Sequence, residues 1–246
     1  MNKFLIALQF LTIFPVKISS QIEEKDFGRS LIYFPVIGAL IGIVLASSSF
    51  LFGILPNMVA GALILILSVV ITGGIHLDGF SDTCDGFYGN HPKEKILEIM
   101  RDSMVGTMGV TGVASLLLLK FSLIVSMPRH NLWIALVIMA VFARWSQIMA
   151  CYMSGYARNE GKAKYFIEYA GGKEIVIGTI VTLGVFLLLM RIEGAVLFFI
   201  SILPVFLFIE YIKRKIGGMT GDTIGAISEA SEVLILFLYL LQHLKV

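Results

Sequence analysis

Apolar runs of 18 to 24 residues recur along the chain at about 31–54, 57–75, 105–127, 132–153, 174–191, 194–212 and 225–244. A helix that crosses a bilayer needs about 20 such residues, so the pattern predicts about seven transmembrane helices. The breaks between runs alternate in kind. Pro56-Asn57, Pro128 to Asn131 and Arg191 to Gly194 are short and carry turn residues, as tight hairpin connections do. The long polar segments, 17–30, 76–104, 154–173 and 213–224, then all fall on one side of the membrane. The N-terminal run FLIALQFLTIFPV is too short to cross. With a lone Lys3 before it and no Ala-x-Ala cleavage site, it reads as an interfacial or re-entrant helix rather than a signal peptide. A further short amphipathic helix is expected after Pro92, in the second polar segment. No polar segment exceeds about 30 residues and no internal repeat is visible. The expectation is an all-α integral membrane protein, a single polytopic domain over 1–246.

Composition agrees with that reading: 57% of the 246 residues are hydrophobic and 15% charged, with a mean hydropathy of +0.90. The formal charge of +2 excludes nucleic acid as a partner, since phosphate binding relies on concentrated Lys and Arg. Position matters more than total. Of the 19 Lys and Arg residues, fourteen, Lys162 among them, belong to the long-segment side. Arg129, Arg191 and Lys245 belong to the other, and Lys120 and Arg144 lie within spans. Because cytoplasmic loops hold the excess of basic residues, the long segments are expected in the cytoplasm and the C-terminus outside. Cys84 and Cys151 stand far apart and in no CxxC pattern, which argues against a disulfide framework or a zinc site.

Candidate chemistry concentrates in the long segments. GGIHLDGFSDTCDGFYGN, residues 73–90, holds His76, Asp78, Asp82 and Asp85 with no Lys or Arg among them. If this stretch is helical, the aspartates at i, i+4 and i+7 share one face, where like charges repel unless a cation sits between them. Hard oxygen ligands of this kind suit Mg²⁺ or Mn²⁺, which complete their shells with water and substrate phosphates. A solvated acidic loop is the plain alternative. In LEIMRDSMVGTMGV, residues 97–110, Glu98 and Asp102 lie one turn apart. Arg101 beside them has two readings, a planar fork on a phosphate oxygen or a surface pair with Glu98.

The third group is KRKIGGMTGDTIGAISEASE, residues 213–232. Thr220, Gly221 and Asp222 lead into the last span, where backbone N–H groups of a helix N-terminus are available to an anion. Glu229 and Glu232 fall inside that span, where ionisable groups are costly and by default functional candidates. Lys213 to Lys215 read as a juxtamembrane anchor. Arg144 in FARWSQ needs a carboxylate from another helix. His76 has three readings: ligand, base, or a hydrogen-bonded histidine at a helix end.

Residues 73–90 resemble the signature of the adenosylcobinamide-GDP ribazoletransferase (cobalamin synthase) family. The resemblance continues through ALQFLTIFPV at 7–16, YFPVIGALIG at 33–42, EIMRDSMVGTMGV at 98–110, FARW at 142–145 and GGMTGDTIGAISEASE at 217–232. Cys84 stands where the family pattern has Ala, and Met104 where it often has a basic residue. The resemblance implies an Mg²⁺-dependent enzyme of a prokaryotic inner membrane, with its site facing the cytoplasm. Its reaction joins adenosylcobinamide-GDP and α-ribazole, or α-ribazole 5′-phosphate, to give adenosylcobalamin, or its 5′-phosphate, and GMP. Carried onto this chain, it implies that Asp78, Asp82, Asp85, Asp222 and Glu229 hold metal. His76, Asp82 and Asp85 would then serve catalysis, and Arg101, Asp102, Arg144, Thr220 and Gly221 would contact substrate. A homo-oligomer is compatible with that reading. The element Asp82-Thr83-Cys84-Asp85-Gly86 also echoes the DxxDG motif of CDP-alcohol phosphotransferases, although Phe87-Tyr88-Gly89 replace the Ala-Arg pair that follows there.

Overall fold

The computed structural model describes residues 2–18, 21–161 and 163–243. Lys162, Leu244 and Lys245, which entered the sidedness count and the last span, lie outside the described residues. In chain order the helices are α1 (Asn2–Leu11), α2 (Glu24–Ser30), α3 (Phe34–Leu51), α4 (Asn57–Thr72), α5 (Ile75–Phe87) and α6 (Lys93–Ile99). There follow α7 (Thr107–Ser126), α8 (Arg129–Tyr152), α9 (Lys164–Glu168), α10 (Gly172–Ile216) and α11 (Gly221–His243). No β-strand occurs among the described residues.

Each apolar run forms a helix or half of one. Within α10 the backbone breaks at Arg191, with φ 56° and ψ −137°, and arms 172–190 and 192–216 fold back on each other. The rings of Phe186 and Phe198 lie 5.8 Å apart, where a straight helix would separate twelve residues by about 18 Å. The Arg191–Gly194 break is therefore the hairpin that the pattern predicts. Five helices, with α10 counted once, are long and apolar enough to cross a membrane, and α4 with α5 makes a sixth candidate bent by 91°.

At the centre runs α8, buried continuously over 135–151 and packed against α3, α10 and α11. A helix that is apolar nearly all round is stable only when neighbours cover every face, and here Trp145 packs against Phe142 and Phe198. The outer helices turn Ile43, Leu118, Leu188, Phe199 and Leu203 outward, an apolar exterior that suits hydrocarbon rather than water. With its several apolar helices, the chain is a multi-pass membrane protein.

The four polar segments gather at one end of the bundle. Phe27 packs edge-on against Phe166, centroids 5.4 Å apart. Arg158 donates to the Met100 carbonyl at 3.3 Å. Ala157 N–H donates to the Met219 carbonyl at 2.8 Å and Met219 N–H to the Gly155 carbonyl at 2.9 Å. At the opposite end Arg129 joins two short breaks by donating to the Gly53 and Leu55 carbonyls and to Asn57. The expected amphipathic helix after Pro92 is α6, with Ile96 buried.

Helix α1 has ten residues, short of a span, and is part of the fold: Ala7 and Leu11 are fully buried. Helices α2 and α9 were not foreseen. Their isolated stretches are too short and polar to carry a period, and it is the packing of Phe27 and Phe166 that holds them.

Candidate active site

Two consecutive glycines in the left-handed region, Gly73 at φ 63° and Gly74 at φ 68°, turn the chain sharply between α4 and α5. Side chains rarely tolerate that conformation, so this pair allows α5 to lie across the ends of the spanning helices rather than continue through them. There α5 meets α11 backbone to backbone. A Cβ on Gly79 would lie 2.7 Å from Asp222 main-chain atoms, and one on Gly225 would lie 3.1 Å from those of His76. This contact brings Asp78 and Asp82 to Asp222, 144 and 140 residues further along the chain.

Asp78 and Asp222 both load Asp82. Asp82 is pushed up to about 7, chiefly by burial and then by the charges of Asp222 and Asp78, against the opposing pull of Arg158. Asp222 is ion-paired with Arg158 at 2.8 Å. Thr220 N–H donates to the Thr223 hydroxyl at 2.9 Å, and Thr223 N–H to the Thr220 hydroxyl at 3.2 Å. This reciprocal cap starts α11 and occupies Thr220, which is fully buried, so its hydroxyl supports the helix end. Gly221 borders a cavity of about 260 Å³ that also reaches His76, Asp78, Arg158 and Asp222.

Not every predicted residue joins this group. Asp85 shares the α5 face but turns to α7, where its carboxylate accepts N–H bonds from Gly106 at 2.8 Å and Gly109 at 2.7 Å. It thereby caps α7, whose first N–H groups have no partner within the helix. Asp85→Ala is expected to lower stability by roughly 1 to 2 kcal/mol, as loss of an N-cap does. Denaturation of the purified variant measures this, and an unchanged midpoint would show that the cap is idle. Glu229 lies two turns beyond Asp222 and points elsewhere: it pairs with Lys120 at 2.5 Å.

Lys120 also pairs with Glu232 at 2.6 Å, and Glu232 with Arg144 at 2.5 Å. The carboxylate partner that Arg144 required is thus Glu232, and Arg144, 1% exposed, is spent on it. Glu229, which the resemblance placed in the metal set, and Arg144, which it placed on substrate, are instead engaged in these buried ion pairs. Arg101 and Asp102 are exposed and do not line the cavity. Asp102 accepts the Met104 N–H at 3.0 Å, and Glu98 pairs with Lys95, not Arg101.

His76 is 4% exposed and stands between the aspartates and the buried ion pairs. Its Nε2 lies 2.8 Å from Nε2 of Gln147, while its Nδ1 and the Gln147 Oε1 are buried without a hydrogen-bond partner among the described residues. Sequence reasoning missed Arg158, Gln147 and the aromatic wall made by Phe10 and Phe166. Arg158 had no signal beyond its place in a long polar segment, and Gln147 sat in a run that periodicity assigns to packing.

A divalent ion tests the donor set. Among the described residues no three His, Cys, Asp or Glu side chains converge as a ready-made cage. Yet Asp78 and Asp222 offer hard oxygens at one cavity, and Asp82, which feels both of their charges, adds to the excess of negative charge there. That combination fits Mg²⁺, which keeps several waters and substrate oxygens and needs only one or two carboxylates.

The family model described as cobalamin-5-phosphate synthase matches residues 3–240. An adenosylcobinamide-GDP ribazoletransferase of Clostridium acetobutylicum is 37% identical over 94% of this chain and 92% of its own. That of Acetivibrio thermocellus is 37% identical over 98% of both chains, and that of Geotalea daltonii 36% over 95% and 94%. No solved structure matches the chain.

Proposed function

The chain belongs to the cobalamin-5-phosphate synthase family, and from that premise we propose that it is a ribazole-transferring enzyme. It joins adenosylcobinamide-GDP to α-ribazole or its 5′-phosphate, and releases GMP, at the cytoplasmic face of a prokaryotic inner membrane. The observation that carries the reading is the meeting of Asp78 and Asp222 with Arg158 at one cavity, with Asp82 close enough behind them to feel both carboxylates, at the basic end of an apolar bundle. Such a group handles phosphate at a membrane surface.

In the transfer, a ribose hydroxyl attacks the phosphorus that bears the aminopropanol of the corrinoid. The new O–P bond forms as the P–O bond to GMP breaks, and the hydroxyl proton leaves to a base. His76 is the group we assign to that proton. If the Gln147 amide presents its unpaired Oε1 to the His76 Nε2–H, the tautomer that results leaves Nδ1 free to accept. Arg158, already beside Asp222, can turn its planar fork to a phosphate oxygen. Asp78, Asp82 and Asp222 would hold Mg²⁺, which when bound neutralises charge on the transferring phosphoryl group. Asp85, committed to the α7 cap, keeps α5 in register with α7.

Membranes containing the protein should release GMP from adenosylcobinamide-GDP only with ribazole and Mg²⁺ present, and should release no CMP from a CDP-activated lipid precursor. The opposite result would favour a CDP-alcohol phosphotransferase. A pH dependence follows from Asp82, which binds a proton as pH falls through about 7. A protonated carboxyl does not ligate metal, so the Mg²⁺ concentration for half activation should rise roughly tenfold per pH unit below that point. Mg²⁺ titrations at about pH 6 and about pH 8 check this, and equal half-saturation at both would remove Asp82 from the metal set.

A further inference from the structure

The cavity beside the carboxylates is lined by two groups of unlike chemistry. One is polar, with Arg158 ion-paired to Asp222 at 2.8 Å and Asp78 and His76 near them. The other is an aromatic cluster contributed by α1, α3 and α9: Phe10 lies 4.5 Å from Phe166 and 6.1 Å from Phe34, and Phe34 lies 5.7 Å from Phe166, centroid to centroid. Phe34 and Phe166 are 1% and 3% exposed, yet both border the cavity, with Ile75 and Ile224 beside them.

We infer that the aromatic part seats the base of the acceptor nucleoside, a flat and apolar fused ring carried on ribose. The inference rests on the ribazole-transfer reading and deepens it by dividing the site between the two substrates. Size is the first ground: a cavity of about 260 Å³ is near the lower end of small-molecule sites and holds a nucleoside, whereas the corrinoid nucleotide is several times larger. Polarity is the second. The guanine of the donor carries donors and acceptors around its edge, and each of these, if buried unpaired, is penalised. Phenylalanine and isoleucine walls offer such an edge no partner. A dimethylated benzimidazole presents two methyl groups there instead, and gains from ring stacking and from leaving water.

Orientation is the third ground. With the base among the phenylalanines, the ribose falls toward the polar group, where the buried Nδ1 of His76 has no partner among the described residues. The donor then approaches from the cavity mouth, over Asp78, Asp222 and Arg158, and its large corrinoid stays outside. The acceptor pocket exists without the donor, so ribazole should bind the protein alone.

Steady-state kinetics with both substrates varied test the division. Phe166→Ala should raise the KM for ribazole roughly 10- to 100-fold, the worth of one base stacked on an aromatic ring, while leaving the KM for the GDP-activated corrinoid unchanged. Ala163→Met, which fills the cavity from a neighbouring wall position, should produce the same split and serves if Phe166→Ala does not fold. A rise in the donor KM instead would mean that guanine occupies the cavity, and a folded variant with both KM values unchanged would equally overturn the proposal. Equilibrium dialysis of ribazole alone separates this from the reaction itself. Should the wild type release no GMP, loss of ribazole binding in either variant still supports the pocket, and undiminished binding in both refutes it.

Discussion

Asp82→Asn should abolish GMP release, by more than about 100-fold, a loss that even outer-shell partners of a bound metal can cause, and should at the same time stabilise the fold above neutral pH. Both effects have one origin. The carboxylate of Asp82 is pushed up to about 7 by burial and by Asp222 and Asp78, well above its value in an unfolded chain. A carboxyl whose folded pKa is raised binds its proton more tightly when folded. Its ionised form therefore opposes folding at pH above about 7, and the opposition fades as pH falls through that value. Asparagine keeps the shape and removes the charge. A site that holds such strain in order to bind a cation gains stability and loses function when the strain is relieved. Thermal unfolding of metal-free protein near pH 8, read beside turnover, makes the comparison. A variant with normal turnover would refute the metal assignment, and one that unfolds more easily would make Asp82 a structural residue.

The second large effect belongs to the buried ion pairs. Glu232 accepts from both Lys120 and Arg144, and with Glu229 the four charges sum to zero among the spanning helices. Glu232→Leu removes the sole ion-pair partner of Arg144 among the described residues. A buried charge left alone costs about 3 to 5 kcal/mol, enough to remove a large part of a typical protein's stability. The expected result is a sharp fall in folded protein recovered in detergent. Replacing both members, Arg144→Met with Glu232→Leu, leaves the neutral pair Lys120 and Glu229 and should recover most of the loss, because an apolar substitute for a buried pair is close to neutral. If the double variant is as unstable as the single one, the network is held by more than its charge balance. The network also stands behind His76, so turnover of the rescued variant reports whether the ion pairs act only on stability.

The spans, their hairpin connections and the gathering of four polar segments at one end were legible because burial in lipid imposes a length and a period on every helix. The site was legible in part. Asp78, Asp82 and Asp222 stood out as charge in an apolar chain, and the structure brings them together. Asp85 looked equivalent to Asp82 by spacing, but α7 begins beside it, and the two unpaired amides there take its carboxylate. Glu229 looked like a fifth carboxylate ligand, yet Lys120, 109 residues away in sequence, faces it from the neighbouring helix. Arg158 carried no local signal, since its role comes from the contact between Tyr156 and Met219 that pins its loop over α11.

By itself, then, the sequence determined which stretches leave water, where the basic residues stand along the chain and which acids are too concentrated to be idle. Those are properties of local composition, and hydrophobic burial and charge repulsion act on them before any helix finds a neighbour. Only the tertiary structure decided which acid meets a cation, which meets a backbone amide and which meets another acid. That choice depends on a few ångströms between crossing helices, set here by Gly79 and Gly225 at the crossing of α5 and α11, and electrostatic interactions change steeply over such distances.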